Sequence, residues 1–545
     1  MCADFDTRCG HDYASVGEVL PGERPVGGAA RDAAEAPCEV FVDAAVLEAF
    51  AASRERFVET LGWLSSEAAR ALEHAELEEC LERRGRELVR QLFQDSVDLR
   101  ACCEERVEAV VGADGVARRT VERSHERALL TVFGEVTVRR LAYRQRGAEN
   151  LYVADGELNL PEEKHSHGLR RLAALEAPKE SFEDAREVIR RQTGVEIGKR
   201  QVEQLAARAA VDFEAFYRQR ERTIEAEGED DVLVLSCDGK GVVMRPEALR
   251  AETKQRAESS ERKLQTRLSR GEKRNRKRMA EVTAVYEITP AQRTAADILP
   301  ATEQERTAAR DGPEATNKWV SASVTDDAAT MISRMFEEAL RRDPERNRVW
   351  IALVDGNNHQ IDRIKKEARA RKVKVTILVD SVHVLEYLWS AAWSFFTEAD
   401  PAAERWVKEK ARQILEGKAG IVAASIRRKA TRLHLDATQR ANADRCADYL
   451  LAKRRYLDYP TALTHGWPIA TGVIEGACRH IVKDRMDITG ARWGLEGAEA
   501  VLKLRALKIN GDFDAYWRFH RAQERKRVHQ TRYAGAVIPT RTSAT

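Results

Sequence analysis

The chain has 545 residues, with 91 Lys and Arg against 89 Asp and Glu and a formal charge of +2. That length exceeds one ordinary core and predicts two or three domains, while the near balance of charge excludes a globally basic nucleic-acid binder and leaves any such affinity to local patches. Nine cysteines without a CxxC pair argue against a structural zinc site, and no segment approaches the roughly 18 apolar residues of a membrane helix, so a cytoplasmic protein without membrane partners is expected.

In chain order, residues 1–37 lack periodicity and read as a flexible leader. Residues 38–125 read as a helical region, because stretches such as 72–84 are rich in Glu, Arg and Leu with i,i+4 charge pairs. Residues 126–225 read as a hairpin followed by a helix-turn-helix. Between Ala128 and Tyr143 β-branched and polar residues alternate around Gly134. Ser181 and Asp184 then have the spacing of a helix cap, and Thr193-Gly194 that of a turn between two helices. In that reading Lys199, Arg200 and Gln204 of the second helix face a DNA major groove.

From Asp231 the composition changes. Residues 231–243, 279–289, 348–356 and 373–380 are apolar runs of strand length, with helices expected near 327–342 and 361–371, which predicts a mixed α/β sheet over 231–383. Residues 384–468 read as an all-helical insertion ended by Gly466-Trp-Pro468, residues 469–520 as further helices of the core, and 521–545 as a polar tail. Most tryptophans of the insertion are expected in its core.

Two of the strand runs end in Asp-Gly, at Asp238 and Asp355, and strand carboxyl ends line the crevice of an open α/β sheet. Glu475 adds a third carboxylate on a helix, with Arg479 and Lys483 one and two turns further along. Three carboxylates suit Mg²⁺, with Mn²⁺ able to substitute, because a hard cation takes oxygen ligands and leaves room for a phosphate. Two such ions can serve an in-line displacement at phosphorus. The cationic stretch containing Lys273, Arg274, Arg276, Lys277 and Arg278 would neutralise phosphates beside such a site. Arg492 and Trp493, set between Gly490 and Gly494, are further candidates for DNA contact.

The motifs at Ser236-Cys-Asp238-Gly-Lys-Gly, Val354-Asp355-Gly-Asn, Asp380-x-x-His383, Gly472-Val-Ile-Glu475-Gly-Ala-Cys-Arg-His, Lys483-Asp-Arg-Met486 and Gly490-Ala-Arg-Trp493 resemble those of the ISKra group of bacterial insertion-sequence transposases, within the DDE, RNase H-like superfamily. The resemblance spans residues 231–510. It implies an α/β catalytic core with an RNase H-like mixed sheet, interrupted by a helical insertion and preceded by a mostly α region with a small β-hairpin. It also implies a catalytic and metal-binding triad of Asp238, Asp355 and Glu475, and an accessory signature of Asp380 and His383. Asp355 is preferred to Asp380 as the second ligand, since in related transposases that aspartate follows the fourth strand. The implied activity is Mg²⁺-dependent DNA cleavage and strand transfer by a nucleoid-associated homo-oligomer, at least a dimer, acting on terminal inverted repeats and target DNA. The competing readings are an RNase H-like nuclease without joining activity and a domesticated DNA-binding regulator.

Overall fold

The computed structural model describes residues 44–220, 231–259, 264, 266–269, 275–488 and 490–539. The expected leader lies outside them, as do Lys273 and Arg274. The chain divides into two compact units, Met1–Ala51 and Ala52–Thr545. The described part of the first holds one short helix, α1 (Ala44–Ala49); the other elements belong to the second.

Helices α2 (Ala51–Leu64), α3 (Glu67–Arg70) and α4 (His74–Cys102) come first. The buried Asp95 carboxylate on α4 accepts the backbone N–H of Ser53 at 3.0 Å and its hydroxyl at 2.6 Å, pinning α2 alongside α4. Helix ends at Cys102, short of the expected 125, and two small strands, β1 (Val110–Val111) and β2 (Ala117–Arg118), pair next. The hairpin of β3 (Thr120–Thr131) and β4 (Gly134–Arg144) begins eight residues earlier than the alternation at 128 suggests. Its first half, residues 120–127, is strongly charged, and only the pairing with β4 identifies it as strand. Gln94 of α4 holds Thr137 of β4 by two hydrogen bonds, of 2.8 and 2.9 Å.

Helices α5 (Val153–Glu157), α6 (His167–Glu176), α7 (Phe182–Thr193), α8 (Lys199–Ala209) and α9 (Phe213–Gln219) come next in the chain. The α7–α8 pair has the helix-turn-helix outline the spacing predicts. The Ser181 hydroxyl accepts the Asp184 N–H at 3.1 Å, capping α7. Gly194 ends that helix at a φ of 70°, a left-handed conformation glycine adopts without Cβ cost. Leu169, Ile189, Val202 and Leu205 bury against Leu504, Leu507, Tyr516 and Trp517, so a C-terminal segment completes this N-terminal core.

The central sheet is built from β5 (Val232–Val243), β6 (Lys277–Ile288), β7 (Ala315–Ser323), β8 (Trp350–Val354) and β9 (Val375–Val379), in spatial order β7-β6-β5-β8-β9. Pairs β5–β6 and β6–β7 are antiparallel, while β5–β8 and β8–β9 are parallel. Between the strands lie α10 (Ala251–Glu258), α11 (Ala295–Ile298), α12 (Glu303–Thr307), α13 (Ala328–Arg342) and α14 (Asn358–Ala370). Four strands match the expected runs. The fifth, β7, is not foreseen, because its nine residues carry only Trp319 and Val320 as large apolar side chains among Ala, Ser, Thr, Asn and Lys. Ladder pairing with β6, not side-chain composition, makes it a strand. Strand β5 also runs past Asp238 to Val243 instead of stopping there.

Helices α15 (Ser381–Ala392), α16 (Pro401–Leu415), α17 (Ala419–Arg432), α18 (Ala437–Lys453) and α19 (Tyr459–Thr464) form the helical segment. They share one core with the sheet, Leu388, Val422, Ile426 and Leu450 joining Leu353, Val354 and Leu378. As expected, Trp406 is core, edge-on to Phe395 at 5.5 Å with the Lys429 ammonium over its ring.

After α20 (Gly472–Ala477) comes a π-helical turn over Cys478–Lys483, then α21 (Asp484–Met486), α22 (Leu495–Ile509) and α23 (Phe513–Val528). The polar tail expected from 521 is instead helical to Val528, and Tyr533 and Ile538 bury beside Val110 and Tyr143. Its charges are paired inside. Arg170, with no exposed side-chain surface, donates to Glu163, to Glu524 at 2.9 Å and to His520 Nε2 at 3.2 Å. His520 Nδ1 donates to Asp212 at 2.7 Å, and Arg527 bonds both Asp212 and Glu524.

Replacing Arg170 with Met leaves Glu163 and Glu524 without their buried cation, so Arg170→Met should lower unfolding free energy by about 3–5 kcal/mol. Urea denaturation followed by circular dichroism measures this; a loss under about 1 kcal/mol would show that the network does not join the two ends of the chain.

Candidate active site

Backbone register places three aspartates at one level. In the parallel ladders Ser236 pairs with Leu353 and Leu353 with Leu378. Two residues further along each chain come Asp238, Asp355 and Asp380, side by side on β5 and just past the ends of β8 and β9. Neighbouring strands are about 4.8 Å apart, so the row is compact. Strand β5 stays paired with β6 through Val243 but loses its β8 partner after Ser236, which opens one side of the sheet beside Asp238. Gly239 and Gly241 keep that extension close to β6, since a Cβ on either would come within 2.9 Å of a side-chain carbon of Met279 or Lys277.

The three carboxylates have different surroundings. Asp238 is half-buried, its Oδ1 accepting the Gly239 N–H at 2.6 Å and its Oδ2 facing the Cys478 thiol at 3.4 Å. Burial, and then the Asp238 charge, push the Cys478 thiol far up, so it remains a protonated donor. Asp355 is half-buried and accepts the Asn357 N–H at 2.7 Å through Oδ1. Its carbonyl accepts the Tyr449 hydroxyl at 3.0 Å, and Tyr449 stacks on Tyr387 with ring centroids 3.9 Å apart. Gly356 takes a φ of 91°, and a Cβ there would lie 2.8 Å from the Tyr449 oxygen. Asp380 is fully buried. Its Oδ1 accepts the Val382 N–H at 2.9 Å, capping α15, and its Oδ2 accepts the Thr471 hydroxyl.

Glu475 is exposed on α20. Partial burial and then the charges of Asp380, Glu386 and Asp238 raise its carboxyl, partly offset by His383. Glu475 therefore shares the electrostatic surroundings of two of the three strand-end aspartates. Arg479 and Lys483 are exposed like Glu475, but they lie in the π-helical turn and not on a continuous α-helix. His383 is half-buried in the first turn of α15, its Nδ1 3.1 Å from Glu386.

Glu281 is a further carboxylate that the motifs do not reveal. It stands opposite Gly239 on β6, and burial followed by the neighbouring Asp238 and Asp327 charges raises it, against the lowering influence of Arg250. Only the β5–β6 register brings it opposite Gly239, one residue from Asp238 and on the other face of the ladder, so no local pattern in the sequence could have singled it out. Among the described residues none of Asp238, Glu281, Asp355, Asp380 and Glu475 has a Lys or Arg nitrogen within 4.0 Å. Carboxylates without a direct Lys or Arg ion pair have the oxygen chemistry that a hard divalent cation takes.

A tighter acidic trio lies elsewhere. Glu214, Asp326 and Glu499 bring carboxylate oxygens within 4.8 Å of one another, which the expected triad does not. That trio already has its cations: Arg334 bonds Asp326 at 2.7 Å, and Lys503 lies 2.7 Å from Glu214 and 3.5 Å from Glu499. Glu499 also accepts the Ser323 hydroxyl and the Val324 N–H. This is a structural ion-pair cluster that ties β7 to α22.

Of the residues expected to touch DNA, Lys199, Arg200, Lys277, Arg479, Lys483 and Arg492 are exposed, and Arg276 is half-buried. Two others are otherwise engaged. Trp493, expected at a DNA-facing surface, is 4 % exposed, donating to the Met486 carbonyl at 3.1 Å, edge-on to Phe182 and beneath Arg485. Backbone pairing across Met244 holds it in the protein core rather than at a ligand. Arg278 spends its guanidinium on the carbonyls of Val324 at 2.5 Å and Ala248 at 3.3 Å.

Over residues 68–278 the chain matches an uncharacterised protein family, UPF0236. That span runs from the N-terminal helices through the helix-turn-helix to the start of β6 and includes Asp238 but neither Asp355 nor Glu475. No curated protein matches the chain.

Thr471 is buried, and its hydroxyl is one of two hydrogen-bond donors to the Asp380 carboxylate. Thr471→Val should therefore cost about 1.5–3 kcal/mol of stability, and Thr471→Ser much less. Equal stability of the two variants in thermal unfolding would show that Asp380 does not depend on this bond.

Proposed function

We propose that the chain is a DDE transposase of the insertion-sequence type, similar to the ISKra group, which binds the ends of its element and catalyses Mg²⁺-dependent DNA cleavage and strand transfer. The observation that carries this reading is the row of Asp238, Asp355 and Asp380 at the open end of the sheet, with Glu475 sharing its electrostatic field. The sheet itself, three antiparallel strands followed by two parallel ones in the order β7-β6-β5-β8-β9, supports an RNase H-like core.

Asp238, Asp355 and Glu475 would hold the metal. Asp380 is less suited, since it is fully buried and held by the Val382 N–H and the Thr471 hydroxyl, whereas Asp238 and Asp355 are only half-buried. Bound magnesium ions would supply the activation of the attacking hydroxyl and the stabilisation of the leaving oxygen. The chain's own groups orient and steer. The Cys478 thiol holds one oxygen of Asp238, and Tyr449 fixes the backbone at Asp355. Exposed Arg479 and Lys483 would take DNA phosphates, with Lys199, Arg200, Lys277 and Arg492 extending the path.

The test is cleavage and joining of labelled DNA bearing the element's own ends, with Mg²⁺ or Mn²⁺. Asp238→Ala, Asp355→Ala and Glu475→Ala should bind the ends yet perform neither step, and Cys478→Ala should lose about 10–100-fold. Full activity of Asp355→Ala with loss in Asp380→Ala would transfer the second ligand to Asp380. Cutting without joining by the wild type would identify a nuclease, and binding without chemistry a regulator.

A further inference from the structure

The α2–α4 hairpin buries little for its length. The fourteen residues of α2 bury only Ser53, and the twenty-nine of α4 only Asp95 and Val97. Yet both helices carry large apolar side chains. Phe57, Val58 and Leu61 on α2 and Leu81, Val89 and Leu92 on α4 are between 40 and 64 % exposed.

Helical spacing gathers them. Phe57, Val58 and Leu61 form one stripe of α2, and Leu81, Val89 and Leu92 one stripe of α4. Ser53 meets Asp95, and Trp63 ten residues on meets Arg84, whose guanidinium lies 4.4 Å from its ring, so the two helices are antiparallel with these sides facing. On each helix the apolar stripe lies at the same rotational sense from that facing side, and in an antiparallel pair this puts both stripes on one flank. Soluble surfaces rarely leave so contiguous an apolar flank open.

We infer that this flank is a self-association surface, occupied by the same hairpin of a second copy of the chain. Charge along α4 favours that occupant. Glu78 and Arg100 are exposed and stand eleven residues either side of Val89. Among the described residues Glu78 has only His74 nearby, at 3.8 Å, and Arg100 has no carboxylate within 4.0 Å. A two-fold axis through Val89 sets two α4 helices antiparallel, with Glu78 of each copy opposite Arg100 of the other and the apolar stripes between them.

The dimension also suits a pair. Helix α4 spans about 43 Å and α2 about 21 Å, each about 10 Å wide, so their shared flank of about 640 Å² lies at the lower end of the roughly 600–1,000 Å² each partner contributes to a stable interface. DNA is a poor occupant, because the flank is apolar and the start of α4 carries Glu73, Glu76, Glu78, Glu79 and Glu82. Self-association through this flank is independent of the catalytic reading.

Sedimentation equilibrium of the full chain at micromolar concentrations tests it, with circular dichroism to confirm that each variant folds. The wild type should be a dimer. Val89→Glu with Leu92→Glu should weaken dimerisation at least about tenfold, a modest change for an interface centre. Glu78→Arg alone should weaken it, and adding Arg100→Glu should restore it, which no general loss of stability could do. A monomeric wild type, a dimer unaffected by Val89→Glu with Leu92→Glu, or a charge exchange that fails to restore association would each overturn the proposal.

Discussion

The geometry at the open end of the sheet depends on strand β5 having two backbone partners at once. Its antiparallel ladder to β6 runs the whole length of the strand, while its parallel ladder to β8 stops at Ser236. The first ladder holds Asp238 rigidly, and the end of the second leaves it open on one side. Because β9 lies beside β8 in the same parallel register, the same step brings Asp355 and Asp380 to that level. A slip of one residue in either ladder would turn the corresponding aspartate to the other face of the sheet.

That arrangement gathers carboxylates that, among the described residues, make no ion pair with a Lys or Arg. Elsewhere the chain neutralises its buried acids thoroughly. Glu287 is met by Arg348 and Arg342, Asp212 by His520 and Arg527, and Glu499 by Lys503 and three donors from the end of β7. Against such a background Glu475 and Glu281 stand apart, since burial and neighbouring carboxylates raise both and His383 and Arg250 offset this only in part.

The ends of the chain are also joined. Helices α22 and α23 complete the core of the helix-turn-helix region, and the Arg170 network locks α6 to α23. The helix-turn-helix and the carboxylate-bearing end of the sheet are thus parts of one compact unit, Ala52–Thr545. The helical segment after β9 adds to the same core, and through Tyr449 it reaches back to the backbone at Asp355.

Four of the five sheet strands were legible as apolar runs of strand length, and the Asp-Gly pairs at Asp238 and Asp355 pointed to one end of the sheet, although β5 runs on past the first. The helix-turn-helix was legible from Ser181 and Gly194, whose capping roles are local. Strand β7 and the first half of β3 were not, since their residues favour no strand until a partner pairs with them. Nor did the sequence reveal that Trp493 packs on Phe182 and Arg485, that residues beyond 521 stay within the fold, or that Glu281 stands opposite Gly239. Patterns of hydrophobicity and capping act over a few residues, and they determined most of the strands and helices and the carboxylates that accompany them. Register, burial and charge neighbours join residues hundreds of positions apart, and only the packed tertiary structure could decide those.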